Sequence, residues 1–157
     1  MRTLIIGSGP NVAAELMTVN RRHFDLTLGI NRAAIDHGPV DAHITMHPRE
    51  YGPRKVAWMV SFHPFAGVNE VFPWRWSPEV KSSGSSGLYA IKYALYRGSQ
   101  DITLAGVGLD VAPHYYGGPD WQAAMQFRRA WEQVLPEIRG KVYSLGGWTR
   151  GLLGPQL

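Results

Sequence analysis

The 157-residue chain contains no cysteine. That absence excludes disulfide scaffolds, thiolate metal sites and cysteine nucleophiles, although it fixes no compartment. Long apolar runs are missing too: none approaches the roughly 20 residues needed to span a bilayer. The opening Met1-Arg2-Thr3-Leu4-Ile5-Ile6-Gly7 is too short in apolar residues for a signal peptide and reads as a strand. A cytoplasmic protein without membrane partners is the expectation. Charge is sparse, at 18% of residues, against 45% hydrophobic residues, which excludes a disordered chain. Sixteen Lys+Arg against twelve Asp+Glu leave a net +4. An excess of this size can favour phosphate-bearing ligands. The basic pairs Arg21-Arg22, Arg54-Lys55 and Arg128-Arg129 are scattered, which speaks against a nucleic-acid partner.

What is present fits one domain over residues 1–157, since domains run to about 100–200 residues and a chain this long buries roughly two-thirds of its unfolded surface. Leu4-Ile5-Ile6 is a short continuous apolar run, suited to a strand buried on both faces. Gly7-Ser8-Gly9-Pro10 stops it, and residues 11–19 then carry Val12, Leu16 and Val19 at helical spacing. Further strands are expected over 25–30, 42–46, 56–62, 101–107 and 141–145. Between Pro64 and Lys81, Phe65, Phe72, Trp74 and Trp76 mark a structured aromatic excursion rather than a linker. Lys81-Ser82-Ser83-Gly84-Ser85-Ser86-Gly87 feeds a helix whose apolar positions are Leu88, Ile91 and Leu95, closed by Gly98. A second long helix is expected over 120–134, with Trp121 and Trp131 on one face against the sheet, and the tail 146–157 wraps the surface. Strand and helix alternate, so the expected fold is α/β: a Rossmann-like three-layer sandwich with a mostly parallel sheet.

In such a sheet ligands sit outside the carboxyl ends of the strands, near the switch in strand order. The residues that follow the strands are therefore the candidates. They are Gly7-Ser8-Gly9-Pro10, then Asn31-Arg32, then His47, then the loop ending Ser85-Ser86-Gly87, then Asp110, His114, Tyr115 and Tyr116. Glycines let backbone N–H groups approach a phosphate, and a helix N-terminus adds partial positive charge. Equally, glycine there can serve a tight strand-to-helix turn. Val12 occupies the place of the third glycine, so the full dinucleotide fingerprint fails. His23, His37 and His43 flank strands and are expected at the surface or hydrogen-bonded, and Trp58 is expected in the core. His47, His63 and Asp110 lack the close spacing of a metal site. Trp74-Arg75-Trp76 suits either an acceptor platform or a dimer contact, so a homo-oligomer stays open.

Gly7-Ser8-Gly9-Pro10 after an apolar strand, Asn31 after the second, Ser85-Ser86-Gly87-Leu88-Tyr89-Ala90 opening a helix that ends in Gly98, and Asp101-Ile102-Thr103-Leu104-Ala105-Gly106-Val107 together resemble the bacterial family-42 sialyltransferases. They are also similar to a wider Rossmann-like superfamily that includes archaeal hydroxymethyldihydropterin pyrophosphokinases and many phage-encoded proteins. The resemblance spans residues 3 to about 145. It implies a nucleotide or nucleotide-sugar ligand and glycosyl transfer without metal or cofactor. By position it implies that Ser8, Asn31, Ser85, Ser86 and Gly87 hold the nucleotide, and the strand-end reading adds Gly7, Gly9, Pro10, Arg32, His47 and Asp110 to that set. His114 would be the general base, with Tyr115 or Tyr116 stabilising the departing phosphate. The sequence departs from the family where His47 replaces an asparagine and Gly108 an aspartate, and where the segment between Val107 and Asp120 is much shorter than the family's lid. Two rivals follow: Mg²⁺-dependent pyrophosphoryl transfer, with Asp36, Asp41, Asp110 and Asp120 as candidate carboxylates, and a module that binds or sequesters a nucleotide without chemistry.

Overall fold

A computed structural model describes residues 1–51, 58–74, 76 and 85–154. Residues 52–57, Arg75, residues 77–84 with most of the serine–glycine loop, and the last three residues therefore lie outside the described part. The strands are β1 Arg2–Ile6, β2 Leu26–Ile30, β3 Ala42–Thr45, β4 Met59–Ser61, β5 Glu70–Val71, β6 Asp101–Ala105 and β7 Val142–Ser144. They form one sheet in the order β5-β4-β3-β2-β1-β6-β7, and every pairing is parallel. The chain runs outward from β1 to β5, then returns to lay β6 against the other side of β1. The switch in strand order thus falls between β1 and β6, where their carboxyl ends open a crevice.

The helices are α1 Val12–Met17, α2 Ala33–Asp36, α3 Pro48–Tyr51, α4 Ser86–Tyr96, α5 Ala124–Ile138 and α6 Gly147–Leu153. Strand side chains alternate between faces. Ile5, Leu28, Ile30, Ile44, Val60, Ile102 and Leu104 pack with Leu88, Ile91, Trp131 and Val134 of α4 and α5. Leu4, Ile6 and Ala105 pack on the opposite face with Val12 of α1 and Ala33 of α2. Two covered faces explain why β1 reads as an unbroken apolar run. α4 ends as its sequence dictates: Gly98 takes φ +87°, its N–H reaches the Leu95 carbonyl, and the Ser99 N–H reaches the Ala94 carbonyl.

Several expectations are corrected. Trp58 precedes β4 and is 44% exposed, its indole N–H directed to Glu70 at 3.3 Å. Trp121 precedes α5 instead of lying on it. The excursion supplies β5 and core: Phe72 is buried against Tyr89 and Tyr93, and Trp76 is only 2% exposed. Lys92 sits over the rings of Trp74 and Trp76 at 4.2 and 4.8 Å, so this tryptophan pair is engaged within the chain. The tail folds into α6. His43 is fully buried in β3, and among the described residues neither ring nitrogen has a hydrogen-bond partner.

Candidate ligand-binding site

A cavity of about 340 Å³ opens at the switch point. That volume lies in the range of small-molecule sites. Its lining joins the turn after β1 (Gly7, Ser8, Gly9, Pro10), Asn31 after β2, His47 and Tyr51 after β3, Ser85, Ser86 and Gly87 at the start of α4, and the segment after β6 that carries Asp110, His114 and Tyr116. Residues from distant parts of the chain thus meet at one edge because parallel strands put all their carboxyl ends there. Arg32 and Tyr115 do not line it. The Arg32 Nε donates to Asp36 at 2.8 Å and its guanidinium covers the Tyr116 ring at 4.4 Å, which puts it at the rim. The Tyr115 hydroxyl donates to the Asp36 carboxylate and its ring packs on the α1 side of the sheet.

The glycines of the first turn serve packing. The Gly7 N–H donates to the Ala105 carbonyl at 2.8 Å and the Gly9 N–H to the Gly106 carbonyl at 2.7 Å. A Cβ on Gly7 would lie 2.5 Å from the Gly106 oxygen, so the close approach of β1 to the loop after β6 demands glycine. These two amides are therefore spent, which corrects their expected role as phosphate donors. Glu15 braces the same junction by accepting from the Gly106 N–H at 2.7 Å, and burial pushes its carboxyl above the usual carboxylate range.

Donors without a partner among the described residues lie instead at α4. Ser85 caps the helix: its hydroxyl accepts from the Leu88 N–H at 3.4 Å and from the Trp131 indole at 3.2 Å, so it too is engaged inward. The N–H groups of Ser86 and Gly87 fall in the first turn, where an α-helix offers no internal acceptor. They border the cavity with the positive end of the helix dipole behind them. Gly87 is fixed by space, because a Cβ would lie 2.9 Å from the Trp131 ring and 3.0 Å from Val107.

Asn31 faces these donors with φ +50°, a left-handed conformation that asparagine tolerates. Its Oδ1 is buried and has no partner among the described residues. Buried polar atoms are normally paired, so this oxygen is a candidate for a ligand's donor. Burial holds the nearby His43 imidazole down to about 4, opposed in part by the Asn31 backbone, although no hydrogen bond of normal geometry forms between them. Tyr51, unforeseen from the sequence because it sits in a four-residue helix, has its phenol raised by burial and then by Glu50 and Tyr116.

His114 is held on two sides. Its Nδ1 lies 3.2 Å from the Ser8 carbonyl. Its ring stacks on Tyr116 at 5.1 Å and contacts Trp121 at 5.5 Å, and Trp121 in turn meets Phe127 at 5.7 Å. A carbonyl can only accept, so Nδ1 carries the proton and Nε2 of a neutral ring keeps its lone pair. Asp110 lines the cavity, but its Oδ1 accepts from the Trp148 N–H at 3.0 Å and so fixes the start of α6. Asp41 accepts from the Thr27 N–H at 2.6 Å. Among the described residues no three His, Asp or Glu side chains converge as a metal site would require, and no helix is long and apolar enough to cross a membrane.

No protein-family model matches the chain, and none of the curated proteins matches it. Among solved structures it is similar to a mammalian sialyltransferase determined in complex with Gal-β-1-3GalNAc-ortho-nitrophenol, with a TM-score of 0.55 at 15% identity over 93% of this chain and 69% of the other. At that identity the likeness is one of fold: the chain has a sialyltransferase-like α/β architecture.

Proposed function

We propose that the protein transfers a glycosyl group from a nucleotide-activated sugar to a hydroxyl, as a short relative of the bacterial family-42 sialyltransferases. One observation carries the reading: the Ser86 and Gly87 amides and a His114 tethered through Nδ1 border the same cavity at the switch point. The sialyltransferase fold likeness supports it. In the step proposed, His114 Nε2 takes the acceptor's hydroxyl proton while that oxygen bonds the anomeric carbon. The bond from that carbon to the phosphate oxygen breaks, and its electron pair leaves with the nucleotide. The helix N-terminus and the Tyr116 hydroxyl meet the charge that grows there. Asn31 and Ser8 hold the nucleotide, with His47 at the edge. The roles of Gly7, Gly9 and Ser85 are to shape the cavity.

Calorimetry with nucleotides and nucleotide sugars, followed by product analysis with and without EDTA, tests this. The expected result is saturable binding and transfer that survives EDTA. Binding without product would favour a capturing module. Turnover restored only by Mg²⁺ would favour pyrophosphoryl transfer. No nucleotide binding would overturn the proposal.

A further inference from the structure

The cavity has two unlike walls. One holds Ser8, Asn31, His47, Tyr51 and Ser86, and includes the Asn31 Oδ1 that has no partner among the described residues. The other, around His114, is lined by Leu109, Ala112, Pro113, Trp121, Ala123 and Phe127. These side chains are apolar apart from the indole N–H of Trp121; the same segment also brings to the cavity Asp110, whose Oδ1 is taken by the Trp148 N–H at 3.0 Å, and the Tyr116 ring stacked on His114.

The main chain of this second wall offers little more. The Val107 carbonyl accepts from the Thr149 hydroxyl at 2.9 Å, and the Gly108 carbonyl from the Thr149 N–H at 3.2 Å. The Leu109 carbonyl receives both Nε and Nη2 of Arg128, at 3.0 and 2.9 Å. That fork holds Leu109 at φ +52°, a conformation rare for a leucine. The Ala112 carbonyl accepts from the Trp121 N–H at 3.0 Å, and Pro113 has no N–H to give. The Val107, Gly108, Leu109 and Ala112 carbonyls are thus answered by α5, by α6 and by the loop itself. A free sugar pressed there would bury hydroxyls without partners, which is costly, whereas an apolar ring or chain would only displace water.

We infer that the acceptor's reacting hydroxyl is carried on an apolar, aromatic or alkyl scaffold that lies against Trp121 and Phe127. The inference rests on the transfer reading above for its use of His114. It divides the cavity: phosphate and nucleoside on the α4 and Asn31 side, an amphipathic acceptor on the His114 side.

The test is a matched pair of probes that share one sugar, phenyl β-D-glucoside and methyl β-D-glucoside, titrated by calorimetry and saturation-transfer NMR. Wild type is expected to bind the phenyl compound at least about tenfold more tightly, with saturation transferred to its ring protons. Trp121→Ala should remove the preference, and Trp121→Phe should restore it. Phe127→Leu, which keeps an apolar side chain where Phe127→Ala could loosen the fold, should weaken the preference only in part. Equal affinity for the two glucosides, or a preference untouched in a folded Trp121→Ala variant, overturns the inference. Cytidine and uridine monophosphate are titrated into the same samples. Failure of both nucleotides to bind wild type would sink the transfer reading, while the glucoside comparison would still decide the character of this wall.

Discussion

The His114 Nδ1 lies 3.2 Å from the carbonyl oxygen of Ser8, across a sequence separation of 106 residues. The same carbonyl accepts from the Tyr115 N–H at 3.2 Å, so the loop after β6 is pinned to the turn after β1. This contact fixes the tautomer as well as the ring position. In ¹⁵N NMR at neutral pH, His114 is expected as the Nδ1–H tautomer with a bare Nε2. An Nε2–H tautomer would remove the base from the proposed step.

His114→Ala should lower turnover at least about 10²-fold, the scale of general-base assistance. Nucleotide affinity should change little, because the proposed phosphate donors belong to α4. Steady-state kinetics beside calorimetry on the same variant would check both halves. Equal turnover by mutant and wild type would remove His114 from the mechanism.

Gly87→Ala probes the other side of the cavity. The added methyl would meet the Trp131 ring at 2.9 Å and Val107 at 3.0 Å. Both neighbours are buried. Overpacking of this kind typically costs about 1–3 kcal/mol, and here it also pushes the α4 N-terminus away from the ligand. Denaturant unfolding should show the loss of stability, and nucleotide affinity should fall with it.

Stability should depend on pH through His43. The folded imidazole is held down to about 4 by burial, while an unfolded histidine titrates near about 6.5. The unfolded chain therefore binds more protons between these values. Stability is full above about pH 6.5 and declines as pH falls toward 4, by about 3 kcal/mol in all. Urea unfolding across this window checks the slope. His43→Leu should flatten it and raise stability at low pH, since it replaces a buried polar group that has no partner among the described residues.

The layers of the fold were legible in the sequence because each long element carries its own signal. Apolar runs mark β1 and β6, and the spacing of Leu88, Ile91 and Leu95 with Gly98 marks α4. Most of the cavity lining was legible too, since a parallel sheet sends every strand's carboxyl end to one edge. Which polar groups remain free was not legible. Gly7 and Gly9 read as phosphate-cradling residues, yet their amides are taken by carbonyls about 100 residues away, a fact set by strand register. Tyr115 and Tyr116 are neighbours with opposite fates: they are the central residues of the turn that the Gly117 N–H closes on the His114 carbonyl at 2.8 Å, one packing on the α1 side and the other beside His114. Trp121 and Tyr51 sit at element ends too short or irregular to carry periodicity.

The central claim is that the α4 N-terminus receives the phosphate of a nucleotide. An amide-resolved ¹⁵N NMR titration with cytidine and uridine monophosphate reads it most directly. The account predicts saturable shifts that are largest at Ser86 and Gly87, with smaller ones at Asn31 and at the Trp131 indole bonded to Ser85. Binding that leaves Ser86 and Gly87 unmoved while shifting another face of the sheet would contradict it.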